Sequence, residues 1–296
     1  MAVEKAIVLA GGAGTRLYPM TAVGSKQLLP VYNKPMIYYS ISTLMLLGIR
    51  KFLVITTPLD IDRFKALLGD GTKWKIEISY ASQSAPRGIA EALIIGREFQ
   101  ARDSLVLMLG DNIFYGKLDR IRQAFKSFKD GALVFGYPVK NPSRYGVLGF
   151  GPDGRVESIE EKPREPKSRY AVPGLYIYDS TAPERAASLD PSGRGELEIT
   201  DLNKGYLVQG QLEATLLGRG MAWLDAGTFM SLLDATRFIE AVESRQGLMI
   251  GCVEEVAIKQ GLIKTGEDYE RMVESIPSGP YRSYVEMVWR EMSART

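Results

Sequence analysis

Short runs of continuously apolar, β-prone residues alternate with helical patterns through the first part of this chain, and that alternation restricts the fold more than any other feature. Ala6–Ala10 (AIVLA), Phe52–Thr57 (FLVITT), Ile76–Ala81 and Leu105–Leu109 (LVLML) read as strands, while Pro35–Leu47, Asp62–Leu68 and Ile89–Phe99 carry helical spacing. A strand that is apolar at every position must be covered on both faces, and strands separated by helices pair in parallel. The expectation is an α/β protein with a mostly parallel central sheet between helical layers. Ligands of such sheets bind outside the carboxyl ends of the strands, which directs attention to Gly11-Gly12 and to Gly110-Asp111-Asn112.

The middle of the chain differs. Ala132–Val139, Gly146–Phe150 and Gly174–Tyr178 read as strands, and Val156–Glu160 returns through the turn Pro152-Asp153-Gly154. Glu198–Val208 and Phe229–Glu243 read as helices around a strand at Leu212–Leu217, and the pattern from Gly247 onward is helical and more polar. The organisation expected is one unit over 1–245, with a small β insertion, and a helical C-terminal extension over 246–296 packed on it. At 296 residues and 45% hydrophobic content, the chain can fill such a core.

Composition narrows the chemistry. The absence of histidine excludes a Ser–His triad, a His general base and His-ligated zinc. Cys252 is the one cysteine, so no internal disulfide forms. Lys and Arg total 37 against 35 Asp and Glu with no long basic run, which argues against a nucleic-acid partner. No apolar stretch reaches the roughly 18 residues of a membrane span, and no basic-then-apolar leader opens the chain. A cytoplasmic protein with no membrane partner is expected. Catalysis must rest on carboxylates, Lys, Arg, backbone amides, or a metal held by oxygen, for which Mg2+ is the natural choice.

The strongest local signal follows the first strand: Leu9-Ala10-Gly11-Gly12-Ala13-Gly14-Thr15-Arg16. Glycines let the backbone approach a phosphate, and successive N–H groups form an anion-binding nest. The loop is neither a Walker A motif, which needs Gly-Lys-Ser/Thr, nor the dinucleotide fingerprint, because Leu17 stands where the third glycine belongs. Arg16 offers a planar fork for a polyphosphate. On local sequence alone, Lys26 and Lys162 read as surface lysines and Gly88 as a helix start, while Asp111, just past the strand Leu105–Leu109 where the sheet opens to ligand, reads more as a ligand-facing carboxylate than as a turn or cap residue.

Leu9–Arg16 followed by Ser25–Pro30 (SKQLLP) resembles the opening of the sugar-1-phosphate nucleotidylyltransferases. Val31–Tyr39 (VYNKPMIYY), Gly110-Asp111-Asn112, Glu160–Pro163 (EEKP), Tyr170–Asp179 and Gly195–Asp201 (GELEITD) extend the resemblance in the family's order, from Lys5 to about Glu240. The motifs are most similar to members that join dTTP and glucose 1-phosphate. The resemblance implies a three-layer α/β/α nucleotide-binding sandwich and a catalytic unit over 1–245. It implies in-line attack of the sugar phosphate on the α-phosphorus with Mg2+, giving dTDP-glucose and pyrophosphate. It also implies a homotetramer.

The same resemblance assigns residues. Asp111 and Asp225 match the metal ligands. Arg16 and Lys26 match triphosphate contacts, within a nucleotide loop of Leu9, Gly11, Gly12, Gly14 and Thr15. Gln83 and Gly88 match the base-reading segment. Lys162 matches the sugar-phosphate lysine, and Tyr145, Gly146, Glu161, Val172, Gly174, Tyr176 and Arg194 match the hexose and sugar-phosphate pocket. Two positions depart from the family pattern: Pro173 stands where Thr is common, and Phe229 where His is common. Competing readings are the same reaction with UTP or another hexose phosphate, a non-catalytic nucleotide-sugar sensor, and a glycosyltransferase using Asp60-Ile61-Asp62 as an Asp-x-Asp metal motif. The last places its motif before a helix, where Asp is a routine cap.

Overall fold

The computed structural model of the chain describes residues 3–12 and 14–294. The strands Leu105–Leu109, Lys5–Leu9, Lys51–Thr56 and Glu77–Ser82 lie side by side in that order, all parallel. Their side chains alternate between two cores, as period-2 geometry requires. Ala6, Val8, Phe52, Val54, Val106 and Met108 enter one core; Ile7, Leu9, Leu53, Ile55, Leu105 and Leu107 enter the other. Continuous apolarity in the sequence is thus the signature of a strand buried on both sides.

Antiparallel pairing takes over beyond Leu105–Leu109. Leu175–Tyr178 pairs antiparallel with it and with Ala132–Pro138, and Leu212–Leu216 lies parallel to Ala132–Pro138. Tyr170–Ala171, Gly146–Phe150 and Val156–Glu161 complete a ten-stranded sheet, the last two as the expected hairpin. Its turn places Gly154 at φ 78°, a left-handed conformation glycine adopts without cost.

Two features differ from the sequence reading. The helix read over Ile89–Phe99 is broken into Glu91–Ile95 and Arg97–Gln100. The break falls at Gly96, where a Cβ would sit 2.4 Å from Ile7 Cδ1 of the central strand. Close packing of this turn on the sheet, not helical periodicity, decides the local geometry. The second feature is a ribbon in which Asn112–Gly116 pairs antiparallel with Met221–Asp225. It seals a third, small core of Leu17, Met36, Ile113, Ala226, Leu232 and Ile239 under the helix Phe229–Gln246.

Beyond that helix, Val253–Lys259, Gly266–Val273 and Pro280–Ser293 bury Cys252, Val253, Val256 and Val285 in the same core as Ile41, Leu44 and Trp74. Trp74 Nε1 donates to Glu254 Oε1 (3.1 Å) and the Tyr284 hydroxyl to Glu255 Oε2 (2.6 Å), so the buried acids of this layer are partnered. No helix among the described residues is long and apolar enough to cross a membrane.

Candidate active site

The parallel register brings two loops together. Leu9 lies opposite both Ile55 and Leu109, and Gly110 N donates to Leu9 O (2.9 Å), so the glycine-rich loop and Gly110-Asp111 leave the sheet edge side by side. The ribbon then sets Asp225 opposite Asn112, and Ala226 N donates to Asp111 O (3.1 Å). The backbones of two acidic residues more than a hundred positions apart in sequence are thereby brought side by side.

Over this edge lies a cleft of about 200 Å³, lined by Arg16, Asp111, Tyr145, Gly146, Glu161, Lys162, Val172, Gly174, Tyr176 and Asp225. A larger cavity of about 390 Å³ lies between the helix Met36–Leu46 and the start of the C-terminal layer. Its wall is mostly apolar and its Lys259 is paired with Glu255, so it lacks the converging free cations and carboxylates that phosphate chemistry needs. The smaller cleft is the candidate active site.

Asp111 Oδ2 is ion-paired with Lys26 Nζ, and Oδ1 accepts from Asn112 Nδ2 at 2.9 Å. Burial pushes the Asp111 carboxyl up, but Lys26 and the Asn112 amide outweigh it and hold it below the ordinary carboxylate range. Asn112 Oδ1 in turn accepts from Trp223 Nε1 (2.6 Å) and Gly174 N (3.0 Å), tying Asp111 to the residue that leads into the strand Leu175–Tyr178. The Tyr145 hydroxyl donates to Asp225 Oδ2 at 3.0 Å, and its ring leans on Trp223 with centroids 5.1 Å apart. Burial, then the Asp225 charge, pushes Tyr145 up to about 12, so it stays a donor at neutral pH. Tyr176 is pushed up by burial and then by Glu161 and Asp111.

Lys162 takes φ 45°, a left-handed conformation uncommon for a non-glycine residue and further disfavoured before a proline. Its N–H donates to Tyr145 O (3.0 Å), and its Nζ reaches Glu161 Oε1 (2.8 Å), whose Oε2 accepts from Thr200 Oγ1 (2.8 Å). Local strain of this kind, on the order of 1–3 kcal/mol, persists where the surroundings over-determine it, as at ligand sites. Arg16 sits in the 3-10 turn Thr15–Leu17, entered through Gly14 at φ 57°, and has no carboxylate partner among the described residues. Its guanidinium lies 3.8 Å from the Cβ position at Gly227.

Other assigned residues stand apart from the cleft wall. Leu9 ends the central strand, Gly11, Gly12, Gly14, Thr15 and Lys26 follow in the adjoining loop and turns, and Ala13 lies outside the described residues. Gln83 packs beside Gly11, with its Oε1 3.2 Å from where a Gly11 Cβ would be. Gly88 has φ 99°, and a Cβ there would meet Leu197 O at 2.3 Å, so glycine is dictated by the strand-like segment beside it. Arg194 does not reach the cleft: it is paired with Glu198 (2.9 Å) and Glu196 (3.7 Å). Asp60 accepts from Thr57 Oγ1 (2.8 Å) and pairs with Arg63 (2.9 Å), while Asp62 is 91% exposed, so the Asp-x-Asp pair does not converge on a ligand.

Sequence reasoning left out Asn112, Thr200 and Trp223, which position the carboxylates and Glu161, and Arg144, which lines the cleft beside Tyr145. Asn112 and Thr200 stood inside quoted motifs, but only their tertiary hydrogen bonds reveal a role.

The fold and cleft are those of an enzyme that transfers a nucleotidyl group, and the chain belongs to the nucleotidyl transferase family, whose family model matches residues 5–242. It is 53% identical over 283 residues to a glucose-1-phosphate thymidylyltransferase of Neisseria meningitidis serogroup A, covering 95% of this chain and 98% of that protein. It is 50% identical over 288 residues to the glucose-1-phosphate thymidylyltransferase of Mycolicibacterium smegmatis, covering 97% and 100%. A Bacillus anthracis crystal structure assigned as a glucose-1-phosphate thymidylyltransferase, in complex with a sucrose, superposes with a TM-score of 0.74 at 41% identity, over 80% of this chain and 95% of that one. A UDP-glucose pyrophosphorylase complexed with UDP-glucose shares the fold at a TM-score of 0.71 and 22% identity.

Proposed function

We propose that this enzyme joins dTTP to glucose 1-phosphate, giving dTDP-glucose and pyrophosphate. The observation that carries this reading is the convergence of Arg16, Asp111, Lys162 and Asp225 from four distant segments on one cleft. A sugar-phosphate oxygen attacks the α-phosphorus in line; its P–O bond forms as the bond to the β-phosphate bridging oxygen breaks. The nucleophile is already ionised at neutral pH, so a histidine-free site suffices. What the chain must supply is positive charge and alignment against two mutually repelling polyanions. Lys162, braced by Glu161, takes the sugar phosphate; Arg16, with no protein anion of its own, takes the phosphates that leave; Lys26 stands against the nucleotide phosphates beside Asp111.

Asp111 and Asp225 fit a magnesium site. Both offer hard oxygen ligands to one cleft, and two carboxylates completed by phosphate oxygens and water match that ion's habit. Bound there, the ion would supply charge stabilisation at the phosphates. Tyr145 and Asn112 orient the two carboxylates for it.

The assignment of residues 1–245 as catalytic and 246–296 as a packed extension belongs to this reading, supported by a family match that ends at residue 242. So do a cytoplasmic location and a homotetramer. Pyrophosphate release from dTTP and glucose 1-phosphate, and its loss on replacing Asp225, tests the proposal.

A further inference from the structure

The base-reading segment contains a hydrogen-bond arrangement that extends beyond the residues assigned above. Gln83 is 6% exposed, and its Nε2 donates to Gly88 O at 3.0 Å and to Glu91 Oε2 at 2.7 Å. The two ends of an amide are distinguished only by their partners. Here both partners are acceptors: a backbone carbonyl has no hydrogen to give, and an ionised carboxylate accepts only. The NH2 end must therefore face them. The carbonyl Oε1 is turned toward the glycine-rich loop, 3.2 Å from the Cβ position at Gly11. Among the described residues nothing donates to Oε1, and the Gly88 N–H finds no acceptor. Side by side stand one unsatisfied acceptor and one unsatisfied donor. That pair complements the N3–H and adjacent carbonyl of thymine or uracil. It opposes cytosine, whose N3 is an acceptor and whose C4 carries an amine.

We propose that Glu91 is a specificity-determining residue: it locks the orientation of the Gln83 amide and thereby selects nucleotides whose base carries an N3–H over cytidine nucleotides. This rests on the reading that the enzyme uses dTTP. To accept cytosine, Gln83 would have to turn over, placing Oε1 against the Glu91 carboxylate and the Gly88 carbonyl at the present 2.7 and 3.0 Å. Two acceptors at those distances repel. Glu91 is well placed to hold its post: its side chain is 16% exposed and opens the helix Glu91–Ile95, where an acid is favoured by the helix dipole. Arg87 stands 3.8 Å from its other oxygen. The lock acts on Gln83, not on the substrate, so Glu91 is a positioning residue.

The test is a comparison of kcat/KM for dTTP, dUTP and dCTP at saturating glucose 1-phosphate, in wild type, Glu91→Leu and Glu91→Gln. A charge-assisted hydrogen bond governs about tenfold or more in such a ratio. In Glu91→Leu the dTTP:dCTP ratio is expected to fall by about tenfold or more, while dTTP:dUTP is unmoved, because those two bases share an edge. Glu91→Gln retains a carbonyl acceptor and keeps the dTTP:dCTP ratio within about threefold of wild type. The KM for glucose 1-phosphate stays the same throughout. Equal loss for all three nucleotides in Glu91→Leu would show that Glu91 is scaffold only and overturn the proposal. Should Glu91→Leu fail to fold, Glu91→Ser, too short to reach Gln83, carries the same comparison. A wild type that releases no pyrophosphate from dTTP refutes the substrate reading itself, separately from any behaviour of Glu91.

Discussion

At the scale of single residues, the cleft separates cations by what they are already holding. Lys26 is paired with Asp111 and Lys162 with Glu161, while Arg16 is free among the described residues. The sugar-phosphate role of Lys162 predicts that Lys162→Ala loses about a hundredfold in kcat/KM for glucose 1-phosphate, the size of one removed charge-stabilising donor. Nucleotide affinity, measured by calorimetry with dTTP, should change little. Parallel loss of both affinities contradicts the role. Tyr145→Phe removes a donor to Asp225 without removing the carboxylate. It should raise the magnesium concentration needed for half-maximal rate, by about tenfold if the hydrogen bond to that charge follows ordinary magnitudes. An unchanged magnesium titration would detach Tyr145 from the metal ligand.

Elements show what the sequence could and could not reveal. The parallel strands were legible because burial on both faces forces continuous apolarity, and Gly11 and Gly110 marked where strands end. The Asn112–Gly116 and Met221–Asp225 ribbon was not, because five residues of mixed character carry no period and their pairing spans more than a hundred positions. Yet that ribbon is what delivers Asp225 to Asp111, so the two metal-ligand assignments were reachable only through family motifs. Lys162 presents the opposite case: its motif marked it, but local sequence could not foresee a left-handed residue before proline. Arg194 shows a motif residue whose place beside Glu198 leaves it outside the cleft.

A pH effect also belongs to the elements. Asp268 closes the capping box of the helix Gly266–Val273, and the hydrogen bond from Lys75 (2.6 Å), with backbone donors, holds it down to about 2. Its folded value lies below the ordinary value near 4. Its contribution to stability is therefore complete above about pH 4 and is lost as pH falls toward 2. Melting temperatures of wild type and Asp268→Asn should differ at pH 7 and converge near pH 2. A gap that persists at pH 2 would mean the two differ for another reason.

On the scale of the whole molecule, the C-terminal layer shares the main core and is pinned by buried charge. Lys34 Nζ donates to Glu243 Oε1 at 2.8 Å, both side chains almost fully buried, and Glu243 also accepts from Asn33 Nδ2 and Ile250 N at 2.7 Å each. Burial lowers the Lys34 pKa, and Glu243 opposes that shift. Removing one partner of such a pair strands the other. Lys34→Ala should cost about 3–5 kcal/mol of unfolding free energy in urea, whereas a loss within 1 kcal/mol would mean that solvent reaches Glu243. The helix Phe229–Gln246 therefore joins the ribbon that carries Asp225 to the layer behind it.

If this cleft joins a nucleoside triphosphate to a sugar 1-phosphate, magnesium-dependent pyrophosphate release shows it, measured with dTTP, UTP, CTP, ATP and GTP, each with glucose 1-phosphate and then with other hexose 1-phosphates, for wild type and Asp225→Asn. Release is expected to be strongest with dTTP and glucose 1-phosphate and abolished in Asp225→Asn. Binding of dTDP-glucose without pyrophosphate release from any pair would contradict it and leave the chain a nucleotide-sugar sensor.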